Sequence, residues 1–258
     1  MTMKVTVCEF EDETEGMARD WERLAAHVKA EASDVVLLPE MPFHPWIART
    51  KPFEPAMWQQ ALLAHDAWHK RFDELAPATI LGTRPVNKDG QHLNEGFVWD
   101  KGQGYHAAHI KHYLPEEDGF WEASWFQRGD GEFNAINSGV LRIGFLICTE
   151  LWFMERARAY GKAGVNLIVT PRTSEHASVD KWLAGGRTAA IVSGAFSLSS
   201  NRVNQAGKSP EFGGQGWVIS PNGEVLGLTS RQHPFVTVEI DLAEAERAKR
   251  TYPRDVIE

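Results

Sequence analysis

Strand-like segments, either alternating and β-branched or continuously apolar, alternate along this chain with the pattern of an amphipathic helix. The sequence MKVTVCEF at 3–10 is followed by the helical pattern EGMARDWERLAAHVKAEA at 15–32, and then by the apolar run SDVVLLPE at 33–40. Apolar residues at three- and four-residue steps predict a helix, whereas a continuous apolar run predicts a strand buried on both faces. The alternation predicts an α/β fold with helices on at least one face of a sheet.

The same alternation continues to the end of the sequence. Strands are predicted at 78–86, 94–100, 105–114, 165–171 and 195–201, hairpins at 136–150 and 214–228, and helices at 54–75, 151–164, 179–194 and 241–255. No repeat, low-complexity tract or flexible linker divides the chain. We therefore predict a single domain over residues 1–258.

The charge balance and the cysteine count narrow the possible functions. A net charge of -8 disfavours a nucleic-acid partner, because proteins that bind nucleic acids usually present a basic surface. No apolar run approaches the roughly eighteen residues of a membrane span, and the N-terminal segment lacks the features of a signal peptide. The two cysteines, Cys8 and Cys148, fit a reducing compartment, although a single bridge between them stays open. We expect a soluble cytoplasmic protein that acts on small molecules.

Three chemically reactive residues lie near the ends of predicted strands. Glu40 follows VVLLP, Lys111 lies within HIKHYLP, and Cys148 ends GFLIC. Each alone has an ordinary structural explanation, and a lone cysteine is usually a small core residue. Together they can perform covalent catalysis, because Glu40 can take the thiol proton while Lys111 supplies a cation for the thiolate and for an oxyanion. The backbone N–H of Thr149 is the natural second donor to that oxyanion.

These segments resemble the nitrilase superfamily of carbon–nitrogen hydrolases, whose members carry Glu, Lys and Cys in this chain order. VVLLPEMPF resembles the segment with the catalytic Glu, HIKHYLPEEDGFWE the segment with the catalytic Lys, and LRIGFLICTELWFMERAR the nucleophile elbow. The resemblance covers nearly the whole chain. It implies that Glu40 is the general base, Lys111 the catalytic lysine and Cys148 the nucleophile.

The resemblance also implies a second carboxylate beside Lys111 and an architecture. Glu122, in DGFWEASWF, fits the position of the second carboxylate better than Glu116 or Glu117. Two flanking carboxylates would keep a buried lysine cationic. The implied fold is an αββα sandwich, with two sheets face to face and helices outside, assembled into homodimers or larger homo-oligomers.

The residues after Cys148 bear on the substrate. Thr149 departs from the aromatic residue common at this position, whereas Trp152 resembles a position shared with amidases that act on N-carbamoyl amines. The arginines that hold the carboxylate of N-carbamoyl D-amino acids in some branches are absent after Cys148, which disfavours that substrate. Arg172, after the strand NLIVTP, has two interpretations: it binds a substrate carboxylate bidentately, or it forms a surface salt bridge.

The predicted function is thiol-dependent hydrolysis of a small amide or N-carbamoyl compound, with release of ammonia and with no metal or organic cofactor. Nitrile hydrolysis is the first alternative, and a catalytically silent binding module on the same fold is the second. A zinc site at His106, His109 and His112 is disfavoured, because in a strand His109 would point away from the other two.

Overall fold

The computed structural model describes residues 1–256, in which twelve strands form two sheets. The first sheet contains, from edge to edge, β5 (Gly104–Ile110), β4 (Gln91–Asp100), β3 (Thr79–Lys88), β2 (Val35–Leu37), β1 (Thr2–Glu11) and β12 (Phe235–Asp241). The second contains β6 (Ile136–Ser138), β7 (Leu141–Phe145), β8 (Leu167–Arg172), β9 (Phe196–Val203), β10 (Trp217–Ile219) and β11 (Val225–Leu228). The end of β1 also pairs with β9, where Glu9 lies opposite Asn201, so β1 joins the two sheets.

Six α-helices complete the part of the chain that is described. They are α1 (Thr14–Glu31), α2 (Pro55–His69), α3 (Glu122–Trp125), α4 (Met154–Lys162), α5 (Val179–Ser193) and α6 (Leu242–Ala248). Helices α1 and α2 contact β1 and β3 of the first sheet, whereas α4 packs on α5, which contacts β9 of the second. Within residues 1–256 no helix is long and apolar enough to cross a membrane.

The directions of the side chains in β2 show how the first sheet lies between the second sheet and the helices. Val35 and Leu37 belong to the apolar cluster that also contains Val169 of the second sheet. Val36 belongs instead to the cluster that contains Trp21 of α1. Because successive residues of a strand point to opposite faces, this strand is buried on both sides, as its continuous apolar sequence predicts. The αββα sandwich is confirmed.

The structure differs from the predicted elements at several ends. The strand predicted at 105–114 ends at Ile110, and the strand predicted to end at Cys148 ends at Phe145, so both reactive residues lie in the connections that follow. Strand β12 was not predicted, although the alternating and β-branched sequence FVTVEID is typical of a strand. The last two residues of the predicted domain, 257 and 258, lie outside the described residues.

Candidate active site

Three charged side chains from distant parts of the sequence meet beside the sandwich core. Glu40 lies just beyond β2, Lys111 directly after β5, and Glu122 at the start of α3. The Lys111 ammonium donates to Glu40 Oε1 at 2.7 Å and to the two Glu122 oxygens at 2.8 and 2.7 Å. All three side chains are fully buried. The three N–H groups of the ammonium can thus each meet a carboxylate oxygen, which offsets the cost of burying the charges.

Glu40 is held through both its side chain and its backbone. Its Oε1 also accepts from Asn94 Nδ2 at 2.8 Å, whereas its buried Oε2 has no hydrogen-bond partner among the described residues. Its backbone carbonyl accepts from Arg202 Nε at 3.1 Å, and Arg202 is paired with Asp12 at 2.6 Å. One oxygen of the Glu40 carboxylate is therefore fixed, while the other is left to accept a proton.

Cys148 lies just beyond β7 and begins a 3₁₀ turn, Cys148–Trp152. Its φ of 46° is in the left-handed region, which is strained for a residue that has a side chain. Its Sγ donates to Thr173 O at 3.4 Å, and Thr173 Oγ1 donates to Glu40 O at 3.4 Å. The segment after β8 thereby connects the turn that carries Cys148 to the loop that carries Glu40.

Burial and the neighbouring charges set the protonation of this group. Burial acts to lower the pKa of Lys111, but Glu122 and Glu40 outweigh it and hold that pKa above its usual value. Burial raises the pKa of Glu122, against the opposing effect of Lys111. Burial also raises the pKa of the Cys148 thiol to about 12; Glu40 adds to this increase and Lys111 opposes it. The cation expected to favour the thiolate is therefore present, but burial outweighs it, and the resting thiol is protonated at neutral pH.

Alkylation of Cys148 by iodoacetamide should accelerate about tenfold per pH unit between pH 7 and 9, because only the thiolate reacts and its fraction grows in that proportion below the pKa. Peptide mass spectrometry distinguishes Cys148 from Cys8, whose thiol pKa burial also raises. The urea-unfolded protein is the control, since an ordinary thiol with a pKa near 8.5 should approach a plateau in this range. A plateau below pH 9 in the folded protein would contradict the raised pKa.

A cavity of about 310 Å³ opens beside these residues. Cys148, Glu122 and Thr149 line it, together with Trp152 and Trp182. The two tryptophan rings lie 4.6 Å apart, and Trp152 is 43% exposed. The backbone N–H of Thr149 has no hydrogen-bond partner in the part of the chain that is described. The cavity therefore brings a small ligand next to the residue that carries the thiol, to the residue with the unused N–H and to an aromatic wall.

Arg172 is a predicted binding residue that the structure does not bring to this cavity. Its guanidinium is buried and donates from Nε to Ser199 Oγ at 2.7 Å, from Nη1 to Ser174 Oγ at 2.9 Å and from Nη2 to Gln215 O at 2.8 Å. It also lies over the Trp217 ring, 4.2 Å from the centroid. Because Ser174 lines the cavity, Arg172 supports the wall from behind. This geometry disagrees with both interpretations of Arg172 from the sequence, the substrate contact and the surface salt bridge.

Two polar residues of the site, Asn94 and Glu150, were not predicted from the sequence. Asn94 is fully buried in β4, and a polar residue within the sequence HLNEGFVWD was the available signal, but its partner could not be derived. Glu150 is also fully buried, and His109 Nε2 lies 3.0 and 2.9 Å from its two carboxylate oxygens. His112 Nδ1 instead lies 2.7 Å from a backbone carbonyl, and His106 is exposed, so the three histidines do not converge.

The comparisons with known sequences agree on one family. The sequence model of the family described as carbon-nitrogen hydrolase matches residues 5–250. The glutamine-dependent NAD(+) synthetase of Rhodobacter capsulatus is 26% identical over 235 residues, which cover 89% of this chain and 41% of the relative. The N-carbamoylputrescine amidase of Arabidopsis thaliana is 23% identical over 260 residues, which cover 88% and 82%. This chain spans 41–59% of the length of several curated relatives that it matches.

Solved structures show the same fold. The carbon-nitrogen hydrolase from Helicobacter pylori G27 aligns with a TM-score of 0.84 and 21% identity, over 98% of this chain and 94% of that chain. A variant of the amidase from Nesterenkonia sp. AN1 aligns with a TM-score of 0.76 and 18% identity, over 95% and 92%. That variant carries the acetamide moiety of fluoroacetamide covalently on its active-site cysteine.

Proposed function

Because this chain belongs to the carbon–nitrogen hydrolase family, we propose that it hydrolyses a small amide or N-carbamoyl compound through a thioester on Cys148. The family and its amidase relatives make the protein a hydrolase of C–N bonds. One observation carries the finer proposal: Lys111 lies buried between Glu40 and Glu122, beside a cavity that Cys148 lines. A cation held between two carboxylates next to a thiol suits acyl transfer, in which a proton moves and negative charge develops.

The first half of the reaction forms the thioester. Glu40 Oε2 takes the proton of the Cys148 thiol, and the sulfur attacks the carbonyl carbon of the substrate. This transfer is required because the resting thiol is protonated, and Oε2 is the carboxylate oxygen without a partner in the described residues. The tetrahedral intermediate then collapses, its C–N bond breaks, and Glu40 returns the proton to the departing nitrogen.

The oxyanion of the tetrahedral intermediate is stabilised by Lys111 and by the backbone N–H of Thr149. Lys111 makes two of its three contacts to the same carboxylate, that of Glu122. It can therefore turn one N–H to the oxyanion and still keep one bond to each carboxylate. Loss of one oxyanion donor costs roughly 3 to 4 kcal/mol of transition-state stabilisation in acyl-transfer enzymes.

The second half of the reaction releases the acid. Water enters the cavity, Glu40 takes one of its protons, and the hydroxide attacks the thioester carbonyl; the C–S bond breaks and the proton returns to the sulfur. With an N-carbamoyl substrate the first half would release ammonia and the second half a carbamic acid, which then loses carbon dioxide to leave the amine. The covalent acetamide on the cysteine of the Nesterenkonia amidase variant supports a nucleophilic role for Cys148.

Ammonia release should be measured from a panel of small amides including glutamine, N-carbamoyl amines and acids, and nitriles. We expect turnover of at least one amide or N-carbamoyl compound by the wild type, and none by the Cys148→Ala variant. Intact mass should show an acyl adduct on the wild type and none on the Cys148→Ala variant. The Cys8→Ala variant is the matched control, because Cys8 is a free thiol buried beside Leu37, outside the cavity lining.

The panel also separates the alternatives. Turnover of nitriles alone, lost in Cys148→Ala, would replace amide hydrolysis with nitrile hydrolysis. Silence across the panel without any adduct on Cys148 would contradict the proposal and favour a binding module. Turnover that persists in Cys148→Ala would remove the thiol from the mechanism.

A further inference from the structure

The Glu150 carboxylate is a buried acceptor for groups from two separate segments. His109 Nε2 lies 3.0 Å from Oε1 and 2.9 Å from Oε2. The backbone N–H of His112 donates to Oε1 at 2.7 Å, and that of Ile147 donates to Oε2 at 2.9 Å. Both oxygens are thus bonded, which offsets the high cost of burying a carboxylate.

These donors lie next to Lys111 and Cys148, the two residues whose relative position the proposed mechanism depends on. His109 and His112 lie on either side of Lys111, at the end of β5 in the first sheet. Ile147 directly precedes Cys148, beyond β7 of the second sheet. One carboxylate therefore connects the lysine segment to the nucleophile turn. Apolar contact between two sheets is non-directional, whereas hydrogen bonds fix distance and orientation.

We propose that Glu150 and His109 form a positioning pair that holds the Lys111 ammonium and the Cys148 thiol at the separation needed to stabilise the oxyanion. This inference rests on the proposed function, since it assigns the pair a role in that reaction. Neither side chain lines the substrate cavity. The pair should therefore govern the rate of the chemical step and leave substrate binding largely unchanged.

The surroundings of His109 allow a small molecule to replace its side chain in a variant that lacks it. His109 lines a second cavity of about 170 Å³ together with Glu95 and Asp130, and none of the residues that line this second cavity lines the substrate cavity. Its ring also lies 4.7 Å from the ring of Phe133. Imidazole added to a variant that lacks this side chain has a route to the vacated space, because this second cavity is open to solvent.

The first test is the His109→Ala variant with and without added imidazole. We expect kcat to fall about 10²-fold, the usual effect of a misplacement of about 1 Å, while KM changes by less than about twofold. Added imidazole should raise the kcat of His109→Ala at least about tenfold, whereas neutral N-methylimidazole, which has no N–H donor, should not raise it. His106→Ala is the matched control, because His106 is exposed on the same strand and should keep the wild-type rate with no response to imidazole.

A second pair of variants keeps the inference testable if His109→Ala does not fold. His109→Gln keeps a donor near Glu150, and His109→Leu keeps a similar volume without one. We expect Gln to retain kcat within about tenfold of the wild type and Leu to lose about 10²-fold. Equal kcat values for these two variants would overturn the inference. So would a loss of kcat with a lowered melting temperature and no imidazole rescue, because the pair would then only stabilise the fold.

Alkylation of Cys148 keeps this test independent of the proposed function. Displacing the Lys111 ammonium should slow alkylation at pH 9 several-fold in His109→Ala, because a nearby cation favours the thiolate. Imidazole should restore the rate. If the wild type hydrolyses nothing but this change is seen, the proposed function fails and the positioning pair stands. If the wild type hydrolyses amides but kcat and alkylation are unchanged in His109→Ala, the pair fails and the function stands.

Discussion

Replacing Lys111 with methionine should abolish turnover and lower the free energy of unfolding by about 3–5 kcal/mol, because removing one partner leaves buried charges uncompensated. Methionine has a similar length but no charge, so it leaves Glu40 and Glu122 facing each other without the ammonium. The oxyanion also loses a donor. Ammonia release and urea denaturation measure the two effects on the same preparation.

The stability of Lys111→Met should also depend more steeply on pH. Lys111 opposes the increase in the pKa of Glu122 that burial causes, so its removal raises that pKa further above the unfolded value of about 4.3. A group whose pKa is raised in the folded state binds more protons there than in the unfolded state. Stability therefore falls as the pH rises from the unfolded pKa of Glu122 towards its raised folded pKa. The deficit relative to the wild type should therefore be larger at pH 8 than at pH 5.5.

Lys51→Met is the matched control for this variant. Lys51 is exposed and pairs with Glu116 at 3.5 Å, so its loss should change neither stability nor turnover appreciably. A Lys111→Met variant as stable as the wild type at pH 8 would contradict a charged lysine at the centre of the site. A variant that kept its turnover would contradict the role proposed for Lys111 in the reaction.

The sequence predicts the layers well because its apolar periodicity is simple. The continuous run at Val35–Leu37 specifies a strand buried on both faces, and the three- and four-residue steps around Trp21 specify the helix that covers it. Strand β12 was missed although FVTVEID has the local pattern of a strand; what the sequence could not show is its pairing with β1, more than two hundred residues away. Such pairing is a tertiary effect that local pattern does not contain.

The same distinction applies to the site, where some residues could be predicted from the local sequence and others depend on contacts between distant segments. Glu40, Lys111 and Cys148 could be predicted from residue type, position at strand ends and resemblance. The partners that orient them could not, because Asn94 and Glu150 act through contacts across strands and sheets. Arg172 shows the opposite error: its position after a strand suggested a substrate contact, but three hydrogen bonds to neighbouring protein groups hold it behind the cavity wall.

The Glu40→Gln variant should lower kcat/KM for an amide by about 10²–10⁴-fold, the usual contribution of general acid–base catalysis, while the fold remains intact. Glutamine is isosteric, and its carbonyl oxygen can still accept from Lys111 and Asn94 as Oε1 does. The amide NH₂ would occupy the position of Oε2, where it cannot take the thiol proton. The variant also leaves one lysine with one carboxylate, Glu122, so it buries no uncompensated charge.

The leaving group gives this variant a sharper test than loss of rate alone. An amide nitrogen must be protonated to leave, whereas p-nitrophenolate leaves as the anion. Glu40→Gln should therefore be impaired at least about tenfold less in acylation by a p-nitrophenyl ester than in amide hydrolysis. Deacylation needs the missing Glu40 carboxylate to activate water, so the variant should release one equivalent of p-nitrophenol faster than it deacylates and then stall. Intact mass would show the acyl group on Cys148.

The control for Glu40→Gln is Glu117→Gln, which removes an exposed carboxylate from the lining of the cavity that Cys148 also lines. The three carboxylate contacts of the Lys111 ammonium are to Glu40 and Glu122, not to Glu117. The Glu117→Gln variant should therefore keep both amide turnover and deacylation near the wild-type rates. If Glu40→Gln lost equal factors on amide and ester, and no acyl-enzyme accumulated, Glu40 would not be transferring protons in either half of the reaction. Its carboxylate would then serve only to hold Lys111, since that is the one remaining interaction that glutamine weakens.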